Sequence, residues 1–111
     1  MTTFLVVYRS VYSAEEQMAA ADQAQQQAGM QAWLTWAEEA GDAVVELGSP
    51  LGAGRHLDGT RAAGSELDAA GYSILRGDSL DEVVKLLERH PHLGVAGNTL
   101  DVFPVLTMPG S

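Results

Sequence analysis

The chain contains no cysteine, which excludes disulfides, thiolate nucleophiles and cysteine-held zinc or iron–sulfur centres. Basic side chains are scarce, with 6 Lys and Arg against 15 Asp and Glu and a formal charge of −9. That excess repels phosphate backbones and anionic lipid, so neither nucleic acid nor membrane is expected as a partner. The acidity reads instead as the surface of a small soluble protein. No apolar run approaches the roughly 20 residues of a membrane span. Met1-Thr2-Thr3 carries no basic segment, and the apolar run behind it is too short for a secretory signal. A cytoplasmic location is the expectation. What remains is globular, 111 residues of which 46% are hydrophobic, the size of one domain spanning 1–111.

Four strands and two helices are legible. Residues 4–8 (FLVVY) are β-branched and aromatic and read as a strand. Ser13-Ala14-Glu15-Glu16 fits a capping box, opening a helix rich in Ala and Gln. Met30, Trp33, Leu34 and Ala37 then recur at helical period, giving the expected core face. Gly29 interrupts, which predicts either a kinked helix or a short exposed helix followed by a core helix. Gly41 is the expected stop. Residues 43–47 (AVVEL) form a second strand, closed by Gly48-Ser49-Pro50. A Gly-rich loop from 51 to 69 follows, a length typical of functional or disordered loops. Residues 72–75 (YSIL) are a third strand. Ser79-Leu80-Asp81-Glu82 is a second capping box, before a helix with Leu80, Val83, Val84 and Leu87 on one face. It ends near His90-Pro91. Residues 99–106 (TLDVFPVL) are the fourth strand, which Pro104 confines to a sheet edge.

The order β-α-β-β-α-β is the split βαβ pattern. It predicts an α+β, ferredoxin-like fold with a four-stranded antiparallel sheet ordered 4-1-3-2, and so places the Pro104 strand at an edge. Two helices cover one face. The first strand is apolar on both faces, Phe4, Val6 and Tyr8 alternating with Leu5 and Val7. A second copy of the same sheet is the simplest cover for the other face, so a homodimer is expected.

Four segments together resemble the YCII-related family, which includes the DGPF-domain proteins, within the dimeric α+β barrel superfamily. They are FLVVYR, MQAWLTWAEEAGDAVVELGSPLG, GYSILRGDSLDEVVKLLERHPHL and LDVFPVL. The resemblance covers most of the chain and implies a ferredoxin-like protomer in a dimer packed through its sheets. It also implies small cofactor-free enzymes, some with a first-helix histidine and an acidic partner as an acid–base pair. Here that helix has no histidine. The position falls near Gln31, an amide that cannot act as a base, and Asp58-Gly59 is followed by Thr60-Arg61 in place of the DGPF motif.

The candidate chemistry centres on His90-Pro91-His92. In the 4-1-3-2 layout both histidines approach Tyr8, Arg9 and Tyr12 beneath the 51–69 loop. Histidine titrates near neutrality and suits proton transfer. His92, beyond the helix, is the favoured acid–base group, and His90 the second candidate. The structural alternatives are that His90 complements the helix C-terminus and that His92 packs at the start of a strand. Asp101, an acid among apolar strand neighbours, needs solvent or a partner and is the candidate catalytic acid. Tyr8, Arg9, Trp33 and Tyr72 are the candidate ligand-binding side chains. Trp33 is read as core, or as the wall of a pocket for a planar ligand, and Trp36 as a surface or dimer contact. No spacing matches a metal motif, His56 included, and no cofactor is implied. Asp42 reads as a turn residue, and Ser79 as a helix cap. Gly52-Ala53-Gly54-Arg55 lacks the context of a phosphate loop.

Two functions compete. One is a small cofactor-independent enzyme performing lyase, isomerase or cyclase-type proton transfer on an aromatic or polyketide-like molecule. The other is a non-catalytic homodimer that binds a small organic ligand or supports a partner enzyme.

Overall fold

Strand β1 (Thr2–Arg9) is buried at Phe4, Val6 and Tyr8 and half-buried at Leu5, Val7 and Arg9, the period-2 pattern of a sheet with one covered face. The computed structural model describes residues 1–11, 16, 19, 21–65 and 68–109. The expected Ser13 cap and Tyr12 lie outside these residues. Among the described residues the elements follow one another as β1, α1 (Gln23–Ala40), β2 (Val44–Pro50), β3 (Arg55–Leu57), β4 (Ala62–Gly64), β5 (Ala69–Gly77), α2 (Leu80–Leu87) and β6 (Thr99–Pro104). Short 3₁₀ turns at Gly41–Ala43 and Pro91–Gly94 precede β2 and β6.

Four strands form one antiparallel sheet in the order β2-β5-β1-β6. Numbered along the chain as the four long strands, this is 4-1-3-2 read from the far edge. Pro104 lies on the outer strand β6, and Pro50 closes the other outer strand, β2. The protein is thus α+β, with both helices on one sheet face. Phe4, Val6, Tyr8 and Leu75 from the sheet meet Trp36, Val83 and Leu87 from the helices to make the core.

Helix α1 starts from a capping box that sequence reading passed over. The Asp22 carboxylate accepts the Gln25 N–H at 2.7 Å, and the Gln25 side chain accepts the Asp22 N–H at 2.9 Å. The helix runs through Gly29 without a break. Its buried stripe differs from the expected one: Met30 is 62% exposed and Leu34 41% exposed. Trp33, Trp36, Ala37 and Ala40 face the sheet instead. That set has the same i, i+3, i+4, i+7 spacing started three residues later, a rotation of about 60°. The two alanines explain the choice, since they let the helix backbone approach the strands. Trp36 is therefore the core tryptophan and Trp33 the half-buried one, the reverse of the sequence reading.

Strand β2 extends past its expected end because Ser49 and Pro50 still pair with Tyr72 and Gly71 of β5. Two register shifts accommodate this, and Gly48 takes φ +85°. A Cβ at Gly48 would lie 1.7 Å from the Tyr72 carbonyl oxygen, so only glycine fits. The 51–69 segment, expected as loop, holds the β3–β4 hairpin. Asp58 Oδ1 organises its turn, accepting from the N–H and hydroxyl of Thr60 and from the Arg61 N–H at 2.7–3.1 Å. Small Ala and Gly residues in β4 gave no alternating pattern to detect. At α2, Ser79 Oγ accepts the Glu82 N–H at 3.1 Å, as a cap should, but Glu82 accepts the Asp78 N–H at 3.0 Å rather than that of Ser79.

The face of the sheet away from the helices carries Leu5, Val7 and Ile74, half-buried, and Phe103, 51% exposed. The protomer measures 44 × 43 × 20 Å, with a radius of gyration of 15.4 Å, against about 13 Å for a compact chain of this length.

Candidate functional site

The two histidines after α2 take different environments. His90 ends the helix segment and begins the 3₁₀ turn, with Pro91 at the turn's first position. Its Nδ1 accepts the backbone N–H of His92 at 3.0 Å. The ring is 2% exposed and stands among Trp33, Trp36 and Tyr8, with ring centroids 4.3, 4.5 and 4.8 Å away. With Nδ1 accepting, the neutral ring carries its proton on Nε2, which has no hydrogen-bond partner among the described residues. Burial, with His92 as a second charge nearby, pushes the pKa down to about 4. His90 is a neutral core residue at pH 7.

His92 is 7% exposed, and its Nε2 lies 2.9 Å from both the Arg9 and the Thr99 carbonyl oxygens. Two acceptors on one nitrogen require that nitrogen to hold the proton. Arg9 and Thr99 are direct partners in the β1–β6 ladder, so the imidazole closes the end of that ladder. Nδ1 lies 3.5 Å from the Asn98 side-chain amide, at the limit of a hydrogen bond.

Tyr8 is buried at the same end. Ser73 Oγ donates its only proton to the Leu47 carbonyl at 2.5 Å, so the Tyr8 hydroxyl is the donor in its 2.8 Å bond to Ser73. Burial pushes the phenol up to about 12 despite that bond, which acts the other way. Tyr8 thus contributes a fixed neutral ring.

These side chains meet a cavity of about 460 Å³ between α1 and the β2–β5–β1 part of the sheet. Tyr8, Trp33 and His92 line it, with Met30, Leu47 and Pro50 as further apolar walls. Gln26 and Ser49 supply polar groups that the sequence reading missed. Gln26 sits in a run of Gln that reads as plain exposed helix, and Ser49 reads as a strand stop. A second recess of about 440 Å³, by Asp42, Arg76, Glu82 and Lys85, gathers none of the candidate residues.

The remaining candidates stand on the opposite face. Val7 pairs with Tyr72 on one side and Asp101 on the other, and all three project away from the helices. Arg9 joins them there, its Nε 2.6 Å from Asp68 and its Nη1 3.0 Å from Asp101. Those two carboxylates hold the guanidinium charged. Tyr72 donates to Glu46 at 2.7 Å, which raises its pKa. Asp101 therefore pairs with Arg9 and makes no bond to His92, and Arg9 and Tyr72 do not line the cavity. The cause is strand alternation: Tyr8 points in, so Arg9 points out. Gln31 is exposed on α1, outside the cavity lining. His56 is exposed on β3, and Asp42 offers its carbonyl to Arg76 Nε at 2.7 Å. Among the described residues no three His, Asp or Glu side chains group as metal ligands.

No protein-family model matches the chain, and no curated protein matches it. Among solved structures it is similar to 5-chloro-2-hydroxyhydroquinone dehydrochlorinase from Burkholderia phenoliruptrix AC1100, determined in complex with 2,5-dihydroxybenzoquinone. The likeness is 22% identity over 91% of each chain, with a TM-score of 0.48.

Proposed function

We propose that the cavity binds a small, flat, mainly apolar organic molecule, and that His92 acts on it as the acid–base group of a cofactor-independent proton transfer. The reaction would be of lyase, isomerase or cyclase type. The observation that carries this reading is the meeting of Trp33, Tyr8 and His92 at one cavity, with the His92 ring held in a single tautomer by two carbonyls. Aromatic walls suit a planar ligand, and an imidazole held in place at the cavity suits a base. We read the chain as a divergent YCII-related protein of the dimeric α+β barrel type. Supporting this are the β-α-β-β-α-β order of its long elements and the Leu5, Val7, Ile74 and Phe103 side chains on the sheet face away from the helices, which a second copy would cover.

The non-catalytic alternative has observations of its own. The Tyr8 proton is committed to Ser73, His90 is neutral and buried, and the first-helix position read from the resemblance is the exposed Gln31. His92 is thus the single group on which catalysis rests.

The test is solvent-deuterium exchange at the acidic C–H of hydroxyaromatic and β-dicarbonyl ligands, alongside binding followed by tryptophan fluorescence. Wild type should bind and exchange, and His92→Ala should lose exchange by about 10²-fold or more. Asp101→Asn, on the far face, should change neither. Binding with no exchange above background in wild type would leave the ligand-binding protein as the correct account.

A further inference from the structure

The charge inventory around the cavity defines which ligands it accepts. None of the described residues lining the cavity is Lys, Arg, Asp or Glu. The chain has only six basic side chains besides its histidines, and each is placed elsewhere. Arg9 neighbours Tyr8 in sequence but lies through the sheet, between Asp68 and Asp101. Arg55 and Arg61 are exposed on and beside the β3–β4 hairpin, Arg61 3.7 Å from Asp58. Arg76 and Lys85 border the other recess, and Arg89 is exposed beyond α2. The undescribed positions 12–15, 17–18, 20, 66–67 and 110–111 contain no Lys, Arg or His in the sequence, so they cannot supply the missing cation.

An anion entering this cavity would give up its hydration and find no Lys or Arg among the described lining residues, under a protein carrying a formal −9. Unpaired burial of a carboxylate is costly even where hydrogen bonds are present. The polar side chains in the lining, Gln26, Ser49 and His92, carry no fixed charge and suit uncharged hydroxyl and carbonyl functions.

We infer that the site selects uncharged hydroxylated planar molecules, phenols or enols, and rejects their carboxylate counterparts. This rests on the ligand-binding reading of the cavity given above. It adds a direction that the reading alone does not contain.

The experiment uses matched pairs, a phenolic methyl ester and the corresponding free acid, in three sizes beginning with methyl 4-hydroxybenzoate and 4-hydroxybenzoate. Binding to the full chain is measured at pH 7.5 by titration calorimetry. In at least one pair the ester should bind about tenfold or more tightly than the acid, a difference typical of one uncompensated charge. Met30→Arg, at a wall position that is 62% exposed, should bring that acid close to its ester by supplying the missing charge. Acids that bind wild type as tightly as their esters overturn the selectivity while the cavity reading stands. Failure of every ester and acid to bind overturns the cavity reading and the selectivity with it.

Discussion

The backbone N–H of His92 donates to Nδ1 of His90 at 3.0 Å, so the histidine enclosed by the core sets the position of the histidine at the cavity. The two residues are separated by one proline and differ in every chemical respect that matters. His90 has three aromatic rings around it and no solvent. His92 is tied to the ends of two strands and borders open space. Pro91 at the start of the 3₁₀ turn makes this arrangement local, because its fixed φ suits the first position of a helical turn and needs no donor there.

The buried His90 gives stability a definite pH dependence. Its folded pKa is depressed to about 4 from 6.5, so between those values the unfolded chain binds a proton that the folded chain does not. Stability is complete above about pH 6.5 and falls as pH drops toward 4. The two values correspond to a loss of about 2 kcal/mol between pH 7.5 and 5.0 from this group. Urea unfolding of wild type and His90→Phe at both pH values isolates it. The variant should start less stable, having lost the acceptor for His92, and should lose about 2 kcal/mol less on acidification. Equal losses in the two proteins would rule the assignment out.

The tryptophans should separate stability from binding. Trp36 is 4% exposed and its indole N–H donates to the Leu86 carbonyl at 2.9 Å. Trp36→Ala should cost about 3–5 kcal/mol in thermal or urea unfolding. Trp33→Ala should cost clearly less, because the side chain is only half-buried, and should abolish binding of any cavity ligand that wild type holds. A variant pair with the opposite ranking would restore the sequence-based assignment of Trp33 to the core.

Association through the open sheet face is tested at Phe103. Its side chain is 51% exposed in the protomer, so a charge there should be tolerated by the monomer. Phe103→Asp should sediment as a monomer under conditions where wild type sediments as a dimer, with the two far-ultraviolet spectra alike. A wild type that remains monomeric at the highest soluble concentration would remove the sheet-face dimer from consideration.

The order of the four long strands and the second helix were readable because each rests on a strong local signal: β-branched runs, a Ser79 cap, an edge proline. The rotation of α1 was not, since Met30 and Trp36 satisfy equally good periodicities and only the closeness allowed by Ala37 and Ala40 decides between them. The site was half legible. His92, Tyr8 and Trp33, which meet at the cavity, stand out in the sequence because their residue types are distinctive. Arg9, Asp101 and Tyr72 were grouped with them on sequence proximity and layout, although strand alternation alone sends Arg9 to the opposite face from Tyr8. The hairpin within 51–69 escaped because its turn depends on one side chain, Asp58, and its strands bury almost nothing.

Both outer strands of the sheet end on a proline, Pro50 in β2 and Pro104 in β6. At each of these positions the edge has no N–H to offer a neighbouring chain. An unfinished ladder is where cross-β growth ordinarily begins, and here each free edge is interrupted at the end of its strand. The consequence is a division of roles within one sheet. Its open face, where Leu5, Val7, Ile74 and Phe103 lie beside the Arg9–Asp101 ion pair, is free to meet a like surface, while its rims resist the endless lateral stacking that turns a sticky protein into a fibre.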